Sequence, residues 1–360
     1  MNKLITFDDV LIEPRYSEIN SRSEVDLTTS LGGNKYSIPV VSANMDTITG
    51  VDMATAMLSC GAAACLHRFM SIEATTDAFL LVSNNTGSAA WISFGLGDYE
   101  FRRAKVLYDF GARTLVLDVA HGAQKQVADQ YKLVKDACPE AFIIIGNFAN
   151  HDTVCDFILD GCGYHHMSQF TDGIKIGIGP GSACTTRIKT GVGIPQLSAI
   201  QDVARVKYNM KIIADGGMRS PGDIAKALAA GADMCMVGGM LAGTSETPGD
   251  LIDMDSGEKV IGYSGDFIHL RLGKKYRGSA SKESYSVQGK DRGYITAEGE
   301  SFIVPYKGYV KDVLQDITGG LKSAFTYTGS RTLADFQKRA KFIYVSPGTA
   351  IENAAHGKKT

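Results

Sequence analysis

The chain has 360 residues, with 37 lysines and arginines against 39 aspartates and glutamates, so its formal charge is -2. This balance argues against nucleic acid or an anionic membrane as partner, since both require a strong basic field. The seven cysteines are scattered and lack metal-ligand spacing, which favours reduced thiols. Acidic residues come early and no apolar run reaches 18 residues, so we expect a cytoplasmic protein without signal peptide or membrane span.

Eight short apolar runs recur along the chain, and helical patterns follow most of them. They cover residues 40–43, 62–66, 91–94, 115–118, 142–145, 174–178, 211–214 and 234–237. Apolar strands that alternate with helices predict a parallel sheet buried on both faces, and eight such units close into a (β/α)8 (TIM) barrel of the α/β class. A barrel takes about 250 residues or more, so we predict one domain over 1–360, with a carboxyl-terminal tail at about 345–360.

Catalytic groups of such barrels lie at the carboxyl ends of the strands, so the residues after each run should face one mouth. Those residues are 44–46, 67–68, Asp118 with His121, 146–147, 177–187, 215–217 and 238–239. A polar segment at about 274–299 has no strand or helix periodicity, and we predict that it is a flap over this mouth. His165 and His166 precede the sixth strand, which indicates a surface pair at the bottom of the barrel.

The most informative stretch is 176–187, where an apolar strand runs into a glycine-rich turn. Gly179 and Gly181 permit close approach of a ligand, and free amides beside Ser182 can receive an anion. The spacing differs from a dinucleotide-binding loop, because Ser182 stands where the third glycine should be. We interpret the turn as a substrate loop that binds phosphate.

Cys184 lies in this loop near amide donors that favour a thiolate, so we predict that it is a nucleophile. We expect the other six cysteines to be small buried apolar residues. Thr186 either satisfies the turn backbone or relays a proton to the thiol.

Asp215 either caps the next turn or grips a ribose diol, while the amides of Gly216 and Gly217 bind phosphate. Gly238 and Gly239 follow the last strand and form a similar turn. Three such turns on the last three strands predict a site for a nucleoside monophosphate.

The chain resembles, almost from end to end, the inosine monophosphate (IMP) dehydrogenase and guanosine monophosphate (GMP) reductase superfamily. The matching motifs are Thr-Phe-Asp-Asp-Val-Leu at 6–11, Ser-Ala-Asn-Met-Asp-Thr at 42–47, the loop 177–187, Ala-Asp-Gly-Gly at 214–217, residues 237–243, Tyr-Arg-Gly at 276–278 and Pro-Tyr-Lys-Gly at 305–308.

Within this superfamily the resemblance is greater to the reductase branch. Only about 20 residues separate 70–73 from the third strand, which leaves no room for the paired regulatory (CBS) domains of most dehydrogenases. Residues 43–46 and 191–199 look like the reductase, as does the flap length over 290–308. Two details look like the dehydrogenase: His121, and an arginine and tyrosine at 292 and 294, although a glycine separates this pair.

The resemblance implies a reaction and its catalytic groups. Cys184 would attack purine carbon 2, Thr186 and Glu298 would manage the proton that expels ammonia, and hydride from NADPH would release IMP from a covalent thioimidate. It further implies a homotetramer, and K+ bound by the backbone carbonyls of Gly179, Gly181 and Cys184.

It also implies two sets of binding residues. The nucleotide would contact Met45, Ser182, Asp215, Gly216, Gly217, Gly238, Gly239, Gly278, Ser279 and Ala280. The cofactor would contact Arg68, Asp118, Ala120, His121 and Asn147.

Two departures leave the substrate open. Ser279, Ala280 and Ser281 follow the Tyr-Arg-Gly motif where the family has Met-(Ser/Gly)-Ser, and residues 164–173 form an extra segment. Besides GMP reductase, the alternatives are IMP dehydrogenase, a reductase for a deoxy or modified guanine nucleotide, and a weakly active sensor of purine nucleotides. Retention of Cys184, Thr186 and Glu298 together argues against the sensor.

Overall fold

The chain begins with three short strands, and the eight strands that follow form a closed parallel barrel. The computed structural model describes residues 3–260, 270–281, 283, 297–346 and 348–349. Three strands come first: β1 (Val10–Ile12), β2 (Thr29–Leu31) and β3 (Asn34–Tyr36). The barrel strands are β4 (Val40–Ser42), β5 (Ala63–Leu66), β6 (Trp91–Phe94), β7 (Thr114–Asp118), β8 (Phe142–Phe148), β9 (Gly173–Ile176), β10 (Lys211–Asp215) and β11 (Met234–Val237). They pair in chain order, and β11 pairs with β4 to close the barrel, which confirms the predicted fold.

Most of the helices cover the outside of the barrel, and some begin and end at recognisable signals. Ser71 accepts a hydrogen bond from Ala74 N at the start of the second helix, and Gly87 ends that helix with a φ of 68°. The helices are α1 (Val51–Ser59), α2 (Ile72–Thr86), α3 (Asp98–Asp109), α4 (Lys125–Ala137), α5 (His151–Asp156), α6 (Thr186–Thr190), α7 (Gln196–Ala204), α8 (Pro221–Ala229), α9 (Val310–Thr328) and α10 (Leu333–Arg339). Only α2 lies between β5 and β6, so no regulatory domain is inserted there.

Both faces of the barrel strands are buried, because one set of side chains fills the interior and the other packs under the helices. Val41, Val116 and Ile213 belong to the interior cluster. At the bottom, the β2–β3 hairpin seals this interior: Trp91 Nε1 donates a hydrogen bond to Tyr36 OH at 2.8 Å. Because side chains on both faces of each strand are buried, the strand sequences are almost continuously apolar.

A small antiparallel sheet stands over the mouth. Its strands are β12 (Ile252–Asp253), β13 (Leu272–Arg277) and β14 (Ser301–Pro305), and a last strand, β15 (Phe342–Tyr344), pairs with β1. Residues 274–277 of the predicted flap form the end of β13, so this part of the segment is strand although no strand periodicity was expected there. Lys274 hides the strand pattern: this polar side chain is buried and its ammonium donates to Ser245 O at 2.9 Å. Residues 282 and 284–296 of the predicted flap, and most of the tail at 345–360, lie outside the described residues.

The cysteines and the histidine pair singled out in the sequence occupy different environments in the fold. All seven cysteines are free, and Cys65, Cys138 and Cys235 are buried as predicted. The prediction of burial is wrong for Cys60, Cys155 and Cys162, which are half-buried like Cys184. His165 and His166 are exposed, and the extra segment that contains them leads into β9. Within the described part of the chain, no helix is long and apolar enough to cross a membrane.

Candidate active site

Two adjoining cavities open at the carboxyl ends of the barrel strands, with volumes of about 600 Å³ and about 380 Å³. Of the predicted site residues, the larger cavity is lined by Met45, Arg68, Asp118, Ala120, Asn147, Gly179, Gly181, Cys184, Thr186, Asp215, Gly216, Gly278, Ser279, Ala280 and Glu298. Ser182, Gly217, Gly238 and Gly239 line the smaller cavity. His121 lines neither cavity and is exposed, since the chain turns away after Ala120.

A chain of hydrogen bonds links the predicted nucleophile to a carboxylate. The Cys184 thiol donates to Thr186 Oγ1 at 3.1 Å, and the Thr186 hydroxyl donates to Glu298 Oε2 at 2.7 Å. The backbone holds Glu298 in place, because Thr185 N donates to its carbonyl at 2.8 Å and its own N–H donates to Ala280 O at 3.0 Å. A thiol proton can therefore move toward the carboxylate through one hydroxyl.

The loop that carries Cys184 is shaped by an arginine. Arg187 donates to the carbonyls of Ile178, at 3.2 Å, and Ile194, at 2.5 Å. Gly179 has a φ of 81°, and a Cβ there would lie 2.5 Å from Arg187 Cγ. Only glycine fits between the loop and the arginine, so the glycine predicted for ligand approach also permits this packing.

The smaller cavity has the features of an anion cradle. Gly216 and Gly217 have φ values of 86° and 83°, which turn the backbone after β10 toward the cavity. The Ser182 hydroxyl lies 3.3 Å from Tyr276 OH. A Cβ on Gly239 would come within 2.9 Å of Ser182 Oγ, so the glycine leaves room for this hydroxyl. Burial raises the pKa of Tyr276, which keeps its hydroxyl a hydrogen-bond donor.

Lys175 is a site residue that the sequence analysis missed. Its ammonium, on β9, lies 3.0 Å from Asp118 Oδ1 and 2.5 Å from Asp215 Oδ2. Burial lowers the pKa of Lys175, but the two carboxylates outweigh burial and raise it above its ordinary value. Burial likewise raises the pKa of Asp118, yet Lys175 and Arg68 hold it below its ordinary value. The sequence did contain a signal for this residue, because Lys175 is a charged side chain inside the apolar run 174–178.

A second missed feature anchors the sheet over the mouth. The Arg277 guanidinium, at the end of β13, forms an ion pair with Asp46, with Nε 3.2 Å from Oδ1. Arg277 N also donates to Thr47 Oγ1 at 3.2 Å. These contacts fix the strand just before Gly278, where the predicted base-binding residues begin.

The arrangement provides no side-chain metal centre in the described ranges, where no group of three or more histidine, cysteine, aspartate or glutamate residues converges. The carbonyl of Gly181, a predicted cation ligand, accepts a hydrogen bond from Cys184 N at 3.0 Å. This carbonyl keeps a second lone pair, so backbone coordination of a monovalent cation fits the loop.

Comparison with known proteins gives the family of this chain. A family model described as "IMP dehydrogenase / GMP reductase domain" matches residues 4–356. The chain belongs to this family. It is similar to GMP reductase of Buchnera aphidicola subsp. Acyrthosiphon pisum (strain Tuc7), with 36% identity over 350 residues that cover 94% of each protein. It is also similar to GMP reductase 2 of Mus musculus, with 37% identity over 95% of this chain and 94% of that protein.

Among solved structures, the chain is similar to inosine 5' monophosphate dehydrogenase from Legionella pneumophila. The TM-score is 0.79 at 39% identity, and the match covers 96% of this chain and 99% of that chain. The family resemblance drawn from the motifs is thus confirmed, and the protein is an enzyme of an oxidoreductase family.

Proposed function

We propose that this family member is a GMP reductase that deaminates GMP to IMP and ammonia with NADPH as reductant. The observation that carries the proposal is the hydrogen-bonded series Cys184, Thr186 and Glu298 at the mouth of the barrel. Full-length relatives named GMP reductase, at 35–37% identity, support the choice of reaction.

In the first half of the reaction, Cys184 Sγ forms a bond to purine carbon 2 and the bond from that carbon to the amino group breaks. The thiol proton passes through Thr186 to Glu298 and then to the leaving amino group, which departs as ammonia. The purine remains attached to the thiol sulfur as a thioimidate. This division is sensible because direct hydride attack would meet an unactivated, electron-rich carbon.

The larger cavity contains, besides Cys184, residues that could bind the cofactor. Arg68 provides donors beside the Asp118 carboxylate, and Asn147 provides an acceptor, because its Nδ2 donates to Gly177 O and Asp215 Oδ2 while its buried Oδ1 has no partner among the described residues. Phe69, Leu96 and Val119 supply apolar surface. This mixture fits a flat ring that carries a carboxamide. A reduced nicotinamide, when bound, supplies the hydride that takes the place of the amino group. Cys184 must then leave carbon 2 as a thiolate, which takes up a proton from solvent through Glu298 and Thr186, whose hydroxyl lies 3.1 Å from the sulfur.

IMP dehydrogenase, which would oxidise IMP with NAD, is the second candidate. The similarity to the Legionella pneumophila dehydrogenase favours it, as does the dehydrogenase-like His121. The split arginine and tyrosine at 292 and 294 argue against water activation, but they lie outside the described residues. A preference for a deoxy or modified guanine nucleotide is the third candidate, given Ser279 and Ala280 at the base-binding segment.

The test is to follow nicotinamide absorbance and ammonia release with GMP plus NADPH, and xanthosine monophosphate formation with IMP plus NAD. We expect turnover only in the first mixture. We expect Cys184→Ala to lose several orders of magnitude in kcat while it still binds GMP, because Asp215 and the glycine turns are unchanged. Rapid xanthosine monophosphate formation would instead favour the dehydrogenase.

A further inference from the structure

The centre of the mouth contains a buried charge cluster, and the proposed mechanism assigns no role to its lysine, Lys175. The side chain of Lys175 is only 3% exposed, and its ammonium contacts carboxylates from two other strands, Asp118 of β7 and Asp215 of β10. A buried ammonium is tolerated only when it is paired and hydrogen-bonded, and removing one partner leaves uncompensated charge. The positions of these three side chains are therefore interdependent.

The two oxygens of Asp215 have different surroundings. Oδ2 accepts hydrogen bonds from Lys175 Nζ, at 2.5 Å, and from Asn147 Nδ2, at 3.0 Å. Among the described residues no donor contacts Oδ1, and Asp215 lines both cavities. One oxygen is thus anchored while the other is available to a ligand in the mouth.

We propose that Lys175 is a positioning residue that makes the site prefer ribonucleotides to 2'-deoxyribonucleotides, by fixing the Asp215 carboxylate toward the sugar. This inference rests on the proposed function, in which Asp215 helps to bind GMP, and takes the contact to be the one with the ribose diol that the sequence analysis considered. A hydroxyl that donates to a charged acceptor contributes strongly only when the acceptor is held in the right orientation. Without Lys175, the Asp215 carboxylate would be held by one neutral amide and repelled by Asp118.

The test compares the dissociation constants of GMP and dGMP, measured by calorimetry without cofactor. A hydrogen bond to a charged group predicts that the parent binds GMP about tenfold or more tightly than dGMP. In Lys175→Met, GMP should lose most of this advantage, so that the ratio of the two constants falls about fivefold or more. General loosening of the mouth would weaken both nucleotides equally and leave the ratio unchanged.

Lys135→Met is a matched control. Lys135 on α4 also pairs with a buried carboxylate, Asp172, at 2.9 Å, but this pair lies outside the cavities. Its loss should lower stability without changing the GMP to dGMP ratio. If Lys175→Met alone does not fold, the double variant with Asp118→Asn removes the unpaired like charge, and its ratio should fall in the same way.

An unchanged ratio in a folded variant that lacks Lys175 would overturn the inference. Measuring IMP and dIMP in parallel separates this failure from failure of the proposed function. A parent protein that binds IMP but not GMP would contradict the reductase, while the IMP to dIMP ratio would still decide the role of Lys175.

Discussion

Glu298 is linked to Cys184, the predicted nucleophile, through Thr186, whose hydroxyl lies 2.7 Å from the carboxylate and 3.1 Å from the thiol. The backbone of Glu298 is hydrogen-bonded to Thr185 and to Ala280. The Glu298 carboxylate is therefore held beside the loop that carries Cys184, although it is far from that loop in sequence. A carboxylate held this way can accept and return a proton without large motion.

The Glu298→Gln variant should separate this proton transfer from binding. Glutamine keeps a hydrogen-bond acceptor for Thr186 but cannot take up a proton, so kcat should fall by roughly 10²–10⁴ with little change in nucleotide affinity. The measurement is ammonia release in a single turnover. Glu300→Gln is the control, because Glu300 is an exposed carboxylate two residues away. Release at the parental rate by Glu298→Gln would mean that the proton comes from elsewhere.

His67 gives the protein a specific sensitivity to acid. Burial lowers the pKa of His67 to about 4, and its Nδ1 accepts a hydrogen bond from Phe69 N at 3.2 Å. The unfolded chain would bind a proton near its ordinary pKa of 6.5, so stability is lost as pH falls from about 6.5 to about 4.

Urea unfolding at about pH 7 and about pH 5 should detect this loss. His67 should account for about 2 kcal/mol of the decrease in unfolding free energy between these pH values. The His67→Asn variant, which keeps an acceptor for Phe69 N, should therefore lose less stability than the parent. Equal losses in the two proteins would contradict a buried neutral imidazole.

At the scale of elements, the barrel strands were predictable because each has two buried faces and so carries its own apolar pattern. The start of β13 was not, because Lys274 satisfies its ammonium with the carbonyls of Ser245 and Thr247 instead of solvent. The role of Lys175 was missed for a similar reason: its two partners are the last residues of other strands, and no local sequence pattern indicates that pairing. Glu298 was found only by resemblance, since its contacts depend on how the sheet folds over the mouth.

The junction between β9 and β10 allows a test of how strand ends set the site. Gly177 follows β9 with a φ of 152°, and a Cβ there would lie 2.0 Å from Asp215 O. The end of β10 would have to move to relieve this overlap. Gly177→Ala should therefore cost about 1–3 kcal/mol in unfolding free energy and also weaken nucleotide binding.

Gly87→Ala is the control for this prediction. Gly87 also has a positive φ, of 68°, but a Cβ there would meet nothing within 4 Å. Its cost should be limited to about 1–2 kcal/mol of left-handed backbone strain, with unchanged nucleotide affinity. Equal affinities in the two variants would show that the strand junction does not position Asp215.

At the scale of the whole molecule, the amino-terminal segment runs back to the mouth of the barrel. Phe7 is buried, and its Cε2 lies 3.5 Å from where a Cβ on Gly217 would be. Lys226 on α8 donates to Phe7 O at 2.8 Å, and Asp8 forms an ion pair with Arg219. Just beyond, β1 pairs with β15, so the amino-terminal segment that packs against the turn after β10 is itself held by the last strand.

This arrangement predicts that Phe7→Ala weakens nucleotide binding even though Phe7 lines neither cavity. Removing a buried phenyl ring should cost about 3–5 kcal/mol in unfolding free energy, and the space left beside Gly217 should loosen the turn that is expected to bind phosphate. Phe79→Ala is the matched control, because Phe79 is equally buried on α2, away from both cavities. Calorimetric titration with GMP, at a temperature where both variants are folded, should show weaker binding for Phe7→Ala alone. Equal binding would mean that the turn after β10 keeps its shape without support from the amino terminus.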